Sequence, residues 1–311
     1  VGTELSFFNR RVNLDFTYYS NKTTDQIIPV DLSYATGYGG KWINSGEMTN
    51  KGIEVGLGLS PVRNENFSWD INLNFAKNEN ELVELDEGLE TLLLSNAPFR
   101  AQLVAFAGQQ YGTIMGTDFI YDDQGNKVID SNGQYAATNG LVSLGSVLPK
   151  WTAGLFNKFR YKNLDLSFLI DVRQGGKYYS TSHQWGMYSG MLQETVDNNI
   201  REDGIVLDGV TGDVTYNADG TYQVSNTAEN TTNLSGYNYG KSHYATVDAL
   251  NVFDANYFKL REVTLGYSFT GDQLPFDKLR LSVFGRNLYT WGLDYDGIDP
   301  ETTSAGSGNI Q

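Results

Sequence analysis

His183 and His243 are the only histidines of this chain and stand 60 positions apart. Cysteine is absent from all 311 residues, which excludes thiol catalysis, zinc-thiolate sites and disulfides together. A metal on the two histidines would need carboxylates to complete its shell. Acidic, glycine-containing runs at Asp122 to Asn126, Asp130 to Gly133 and Asn217 to Gly220 offer oxygens at alternate positions, as a hard cation requires. None continues to the closing glutamate of an EF-hand, and Asp/Asn-x-Gly is common hairpin chemistry. Turns are therefore the better account, with Asp122 and Asp130 as weak calcium candidates. No nucleophile is paired with a base, no glycine run cradles a phosphate and no zinc helix motif occurs. Carboxylates are plentiful, but glycosidase chemistry depends on a spatial separation that sequence does not carry. The chain reads as a non-enzyme without a cofactor. Aromatics offer binding chemistry instead. Between 180 and 255, Trp185, Tyr188, Tyr237 and Tyr239 can stack on sugar rings or peptide side chains, or pack that segment against its neighbours. A short helix is expected near Met191 to Arg201.

The elements that would carry these residues are strands. From Phe67 to Phe75 apolar and polar residues alternate without exception. Val12 to Tyr18, Ile53 to Ser60 and Leu164 to Arg173 repeat the pattern, so one face meets hydrocarbon and the other water. The polar parity carries Asn72, Asn74, Asp165, Ser167, Asp171, Arg173, Arg280, Ser282 and Arg286. Aromatics gather at the segment ends as an interfacial girdle would: Tyr18-Tyr19, Phe67, Trp69, Trp151, Tyr161, Tyr178-Tyr179, Tyr257, Phe269, Tyr289 and Trp291.

Eight such segments are joined by short and long connections in alternation. The short ones are Asn9-Arg10, Pro61 to Asn66, Lys162-Asn163 and Thr270 to Lys278. The long ones cover about 21–40, 80–147 and 180–255, with another at 292–311. Structureless loops of that length are uncommon in compact domains. Placed always on one side of a sheet, they predict an all-β fold: an antiparallel transmembrane β-barrel section of about eight strands, with short periplasmic turns and long extracellular loops.

Composition agrees. Mean hydropathy is −0.37, and no apolar run approaches the roughly 20 residues of a membrane helix. A net charge of −15 argues against a nucleic-acid partner. The chain opens inside a strand and stops after the strand Leu279 to Trp291, so it is expected to be one partial barrel domain from a larger barrel.

Several stretches resemble the SusC/RagA family of TonB-dependent outer-membrane transporters. Phe7 to Ile27 looks like the family's strand, tight turn and strand. Ile43 to Leu57 is similar to its Asn-x-Gly and Asn-Lys-Gly-x-Glu signature through Asn44, Gly46, Asn50, Lys51, Gly52 and Glu54. Leu144 to Phe168 resembles its Pro-Lys-aromatic hairpin. Asn256 to Phe269, with Asn256, Leu260, Arg261 and Glu262, and Leu279 to Trp291, with Asn287, look like its last hairpin; Gly297 to Glu301 follows. The resemblance implies a plugged barrel of about 22 strands in the outer membrane of a Gram-negative, Bacteroidota-like cell. It implies energised import of an oligosaccharide or peptide, with a SusD-like lipoprotein lid, outer-membrane lipid around the wall, and the TonB-ExbB-ExbD system engaged through a missing N-terminal part. An outer-membrane scaffold for surface lipoproteins and a soluble all-β glycan-binding module are the alternatives.

Alternation slips once between Leu260 and Val263. Either a bulge lies near Arg261 and Glu262, or Lys259 and Arg261 rise among lipid headgroups. Strand glycines, including Gly52, Gly56, Gly58, Gly154, Gly266 and Gly285, are expected to relieve crowding under tall neighbours.

Overall fold

The computed structural model describes residues 1–31, 37–38, 40–44, 46–85, 89–97, 100–270, 275, 277–303 and 309–310. Eight strands make the wall: β1 (Gly2–Phe7), β2 (Val12–Thr23), β3 (Glu47–Arg63), β4 (Phe67–Glu84), β5 (Trp151–Tyr161), β6 (Leu164–Gln174), β7 (Tyr257–Phe269) and β8 (Leu279–Trp291). They pair antiparallel in chain order, β1 and β8 being the edges, with Gln109–Gln110 added at the far end of β4. That is the meander of an up-and-down barrel wall.

Register sorts the side chains by polarity. One cross-strand row reads Leu5, Leu14, Leu57, Leu73, Leu155, Ile170, Leu260 and Tyr289. The neighbouring row reads Glu4, Asp15, Gly56, Asn74, Gly154, Asp171, Lys259 and Thr290. A slip of one residue would exchange the two faces, so the hairpin turns must hold register. The β1–β2 turn does so with Phe8, Asn9 and Arg10 at φ of 52, 54 and 64° and with Arg11 N–H donating to Phe7 O at 3.1 Å.

The apolar face is uncovered. Val283 is 78% exposed and Leu281 57%, and none of Ile71, Leu73, Leu166 and Phe168 is buried. The buried cores lie in the long connections: Ala97, Ala101, Leu103, Ile114, Leu144, Val147 and Tyr179 in one, and Ile129, Leu207 and Leu234 in another. In a soluble sandwich the alternating face would itself be the core, so the soluble-module alternative fails. From Trp151 to Tyr161, β5 carries its outward face over ten residue steps, about 33 Å of strand; at a tilt near 40° this covers about 25 Å, the height of a barrel's apolar band. Rings mark both borders: Trp69 stacks on Phe159 at 5.5 Å, and Phe258 on Trp291 at 5.7 Å.

One polar group interrupts the band. Asn157 points outward between Ile71 and Phe168, is buried, and accepts a hydrogen bond from Trp69 Nε1–H at 3.1 Å. Removing only the donor leaves a buried amide facing hydrocarbon, whereas removing the amide frees only the Trp69 indole N–H, which stands at the aromatic border within reach of interfacial acceptors. Trp69→Phe is expected to destabilise the intact barrel by about 1–2 kcal/mol and Asn157→Leu to be neutral or stabilising, as read from urea unfolding in vesicles.

The long connections are structured. Thr91–Asn96, Gln102–Phe106, Thr113–Gly116 and Val142–Ser146 form a four-stranded sheet. Val128–Ile129 from the same connection pairs in parallel with Val210–Tyr216 from the next, which pairs with Tyr222–Glu229. The lobes are pinned by Asp248, which takes Arg100 Nε–H at 2.8 Å and the Thr117 amide at 2.9 Å. Three helices complete the larger lobe: α1 (Thr181–Tyr188), α2 (Ile200–Asp203) and α3 (Gly236–Ala245).

Three expectations are corrected here. The helix expected at Met191 to Arg201 lies earlier, as α1, because Ser180 caps it by accepting the His183 amide at 3.0 Å. Left-handed Asn198 and Asn199 break the later segment into 3₁₀ turns ahead of α2. Tyr178 and Tyr179 are not girdle residues. Gly175 and Gly176, at φ of 84 and 83°, bend the chain off β6, and Lys177–Ser180 pairs with Val252–Asp254, burying both rings in the lobe. Tyr257, also assigned to the girdle, is buried on the polar face beside Lys259.

Candidate functional site

Two arrangements on the polar side bring charged or aromatic groups together. The first arises from the slipped alternation on β7. Leu260 pairs with Tyr289 and Glu262 with Arg286, leaving Arg261 in a bulge opposite Asn287 and Leu288, with Asn287 at φ 50°. The bulge is the correct one of the two expected readings. Lys259 and Arg261 do not reach lipid headgroups, since both turn to the polar face.

There they meet a strap formed by the segment after β8. Asp299 accepts the Glu301 amide at 3.0 Å and starts the 3₁₀ turn Pro300–Thr302, which presents both carboxylates to the wall. The Lys259 side chain is 3% exposed, and its Nζ lies 2.5 and 2.7 Å from the Asp299 oxygens and 2.7 Å from Glu301 Oε2. Arg261 donates to Asp171 Oδ2 from Nη2 at 2.6 Å and from Nε at 3.0 Å, and both its terminal nitrogens donate to Glu301. Tyr257 OH donates to Glu301 Oε1 at 2.8 Å. Charges with this many mutual partners are structural before they are ligand contacts.

The Arg261 guanidinium, then the Lys259 ammonium and Tyr257 hydroxyl, hold the Glu301 carboxyl at about 2, against 4.5 in a free chain. A carboxyl depressed on folding stabilises above its unfolded value and loses that contribution as pH falls toward its folded value. Strap docking is therefore expected to be constant above about pH 5 and to weaken between about 4.5 and 2, read as hydrogen exchange of the 292–303 amides across a pH series.

The same face carries two adjoining troughs of about 380 and 450 Å³. Asp15, Glu54 and Asp171 rim the first, with Gly56, Asn74 and Gly154 on its floor. Of the family-motif residues, Glu54 lines the first trough. Gly52 lies under the Tyr19 ring, whose hydroxyl donates to Asn78 Oδ1 at 2.9 Å; an ideal Cβ would come within 2.3 Å of that ring. Asn50 accepts from Asn80 Nδ2 at 2.8 Å, and Lys51 is exposed farther up the strand. Gly46 adopts φ 103° just before β3; Asn44 pairs with Ile27, and its side chain lies outside the described residues. Asn256 Oδ1 accepts from Gln174 Nε2 and the Gly175 amide at 3.0 and 2.6 Å, fixing the exit of β6. Leu260 is in the outward apolar row.

The second arrangement lies in the large lobe. A cavity of about 380 Å³ is lined by Tyr188, Ser189, Thr195, Arg201 and Tyr237, with Met187 at its edge. Of the four aromatics singled out from sequence, the fold brings Tyr188 and Tyr237 here, Tyr237 being 69% exposed. Trp185 stands behind Tyr188, ring edge to face at 5.8 Å. Tyr239 turns inward against His243 at 5.3 Å. The histidines are internal. His183 Nδ1–H donates to Asn251 Oδ1 at 2.9 Å, and burial pushes the His243 imidazole down to about 4, so it is neutral at ordinary pH. Asp122 accepts the Gln124 and Asn126 amides at 2.9 and 2.8 Å, and Asp130 those of Asn132 and Gln134, both at 2.9 Å, which is turn geometry. Sequence reasoning missed Arg201 at the cavity, although it is the only Lys or Arg between Lys177 and Lys241.

A sequential antiparallel wall, bare and apolar on one face and polar on the other, with short turns at one rim and folded lobes at the other, defines an outer-membrane-type β-barrel of the receptor and transporter class. The model described as "TonB dependent receptor-like, beta-barrel" matches residues 1–161, and the chain belongs to that family, one of receptors and not of enzymes. It is 26% identical over 338 residues to TonB-dependent receptor P3 of Formosa agariphila, covering 99% of this chain and 31% of that protein. With TonB-dependent receptor SusC of Bacteroides thetaiotaomicron the identity is 24% over 332 residues, 98% of this chain and 29% of the relative. The solved RagAB peptide importer in its open-open state superposes with a TM-score of 0.69 at 18% identity, over 98% of this chain and 32% of that one. The chain thus spans about a third of the length of these relatives. The SusC/RagA likeness read from the motifs is borne out.

Proposed function

We propose that this chain supplies part of the wall and outer lobes of a TonB-dependent importer in the outer membrane of a Gram-negative cell of the Bacteroidota kind. Its cargo is an oligosaccharide or a peptide, moved without chemical change. The carrying observation is the pairing of a naked apolar face with a polar face across the eight strands, troughed over β1 to β6. The relatives support the import reading: one is SusC, and a solved neighbour is titled a peptide importer. A SusD-like lipoprotein would close the side bearing the folded lobes, and TonB-ExbB-ExbD would act from the opposite side. Tyr188 and Tyr237 are the proposed ligand contacts on the outer lobe, with Trp185 and Tyr239 supporting them from behind.

Deletion of the gene, with growth measured on defined glycans and on peptide mixtures, tests this. Loss of growth on one nutrient class, restored by complementation, is the expected result. Unchanged growth on every nutrient, with a surface lipoprotein lost from the membrane, would replace it by the scaffold reading.

A further inference from the structure

The cavity of the large lobe carries a positive charge that the fold leaves without an anion. Arg201 is flanked in sequence by Glu194, Asp197, Glu202 and Asp203, yet among the described residues no carboxylate pairs with it. Three of those carboxylates face other groups. Glu194 faces His183 Nε2 at 3.3 Å, Asp197 accepts from Gln193 Nε2 at 2.8 Å, and Asp203 accepts from Asn199 Nδ2 at 2.7 Å. Arg201 Nη2 meets only neutral acceptors, Gly190 O and, at 3.0 Å, Thr195 Oγ1. Its other nitrogens keep their donors. Five of the ten arginines, Arg63, Arg100, Arg261, Arg280 and Arg286, each hold a carboxylate.

Beside this guanidinium stand the tyrosines of the same cavity. Tyr237 also has Lys241 Nζ 5.9 Å from its ring centre, adding a second cation at that rim. A planar guanidinium with free donors pairs with a carboxylate through two parallel hydrogen bonds. An exposed tyrosine ring accepts the apolar face of a sugar or the side chain of a peptide. The volume, about 380 Å³, is within the range of small-molecule sites.

We propose that this cavity binds a carboxylate-bearing ligand, gripped by Arg201 and stacked on Tyr188 and Tyr237. This rests on the import reading above and narrows it to an acidic cargo. The carboxylate belongs either to a uronic-acid sugar or to the C-terminus of a peptide.

The test uses the full receptor, purified in detergent, with isothermal titration of two probe pairs. One is tetragalacturonate against its methyl ester; the other is a tetrapeptide with a free against an amidated C-terminus. In one pair the acid should bind at least tenfold more tightly than its neutral form. Arg201→Gln should abolish that preference while leaving residual binding of both forms, and Tyr237→Ala should weaken both forms alike. Arg201→Lys keeps a donor for Gly190 O, so it guards against collapse of the lobe; it should retain part of the preference. Equal binding of acid and neutral forms, a preference surviving Arg201→Gln, or no binding of any probe would each overturn the proposal. Import itself is read separately by the growth assay, so an acid-indifferent cavity in a strain that loses growth on deletion sinks this inference and leaves the importer standing.

Discussion

Replacing Lys259 by Met should detach the strap from the wall. The substitution removes a buried cation from between Asp299 and Glu301, leaving two neighbouring carboxylates against Asp171 with only Arg261 to offset three negative charges. Breaking a fully buried pair from one side costs about 3–5 kcal/mol; both strap carboxylates keep some contact with water, so about 2–3 kcal/mol is expected. The readout is hydrogen exchange: the 292–303 amides should exchange at least tenfold faster while the centres of β5 and β6 stay protected. The double change Asp299→Asn with Lys259→Met should recover part of the loss, because it removes charge from both sides together. Unchanged exchange in the strap would show that the ion network does not hold it.

How much of this was readable in the chain follows from the range of the forces. The wall was legible because its signal is local: a period of two from Phe67 to Phe75 or Leu164 to Arg173 needs no knowledge of neighbours. Even the bulge announced itself, since one slip at Leu260 to Val263 changes the parity of everything after it. What the slip serves was invisible. Arg261 meets Glu301 across 40 positions and Asp171 across 90, and no local pattern states that a charge will find its partner so far along the chain.

The lobes were harder still, for the same reason. Tyr178 and Tyr179 read as girdle because they follow a strand; only the two left-handed glycines before them send the rings inward. Tyr188 and Tyr237 were recognisable as candidates by type, but their shared cavity depends on α1 and α3 lying side by side. Arg201 stands out only in the fold, where its guanidinium meets Gly190 O and Thr195 Oγ1 and no carboxylate among the described residues.

The assignment of the two faces makes the sharpest demand. Leu73 and Asn72 are adjacent on β4, share the same backbone, and lie at nearly the same height between the aromatic borders. Leu73 joins the outward apolar row and Asn72 the polar face with Asn13 and Gly58. Arginine near the midplane on the lipid side of a barrel costs about 2–4 kcal/mol, whereas arginine facing the lumen meets water and costs little. In reversible urea unfolding of the intact receptor in vesicles, Leu73→Arg should therefore lose about 2–4 kcal/mol and Asn72→Arg less than about 1. A soluble core on the apolar side would also punish Leu73→Arg, so the deciding comparison is Leu73→Trp. A packed interior rejects the larger ring, at about 1–3 kcal/mol; lipid yields to it, and the substitution should be close to neutral. Destabilisation by Leu73→Trp as large as by Leu73→Arg would mean that this face is covered by protein and not by membrane.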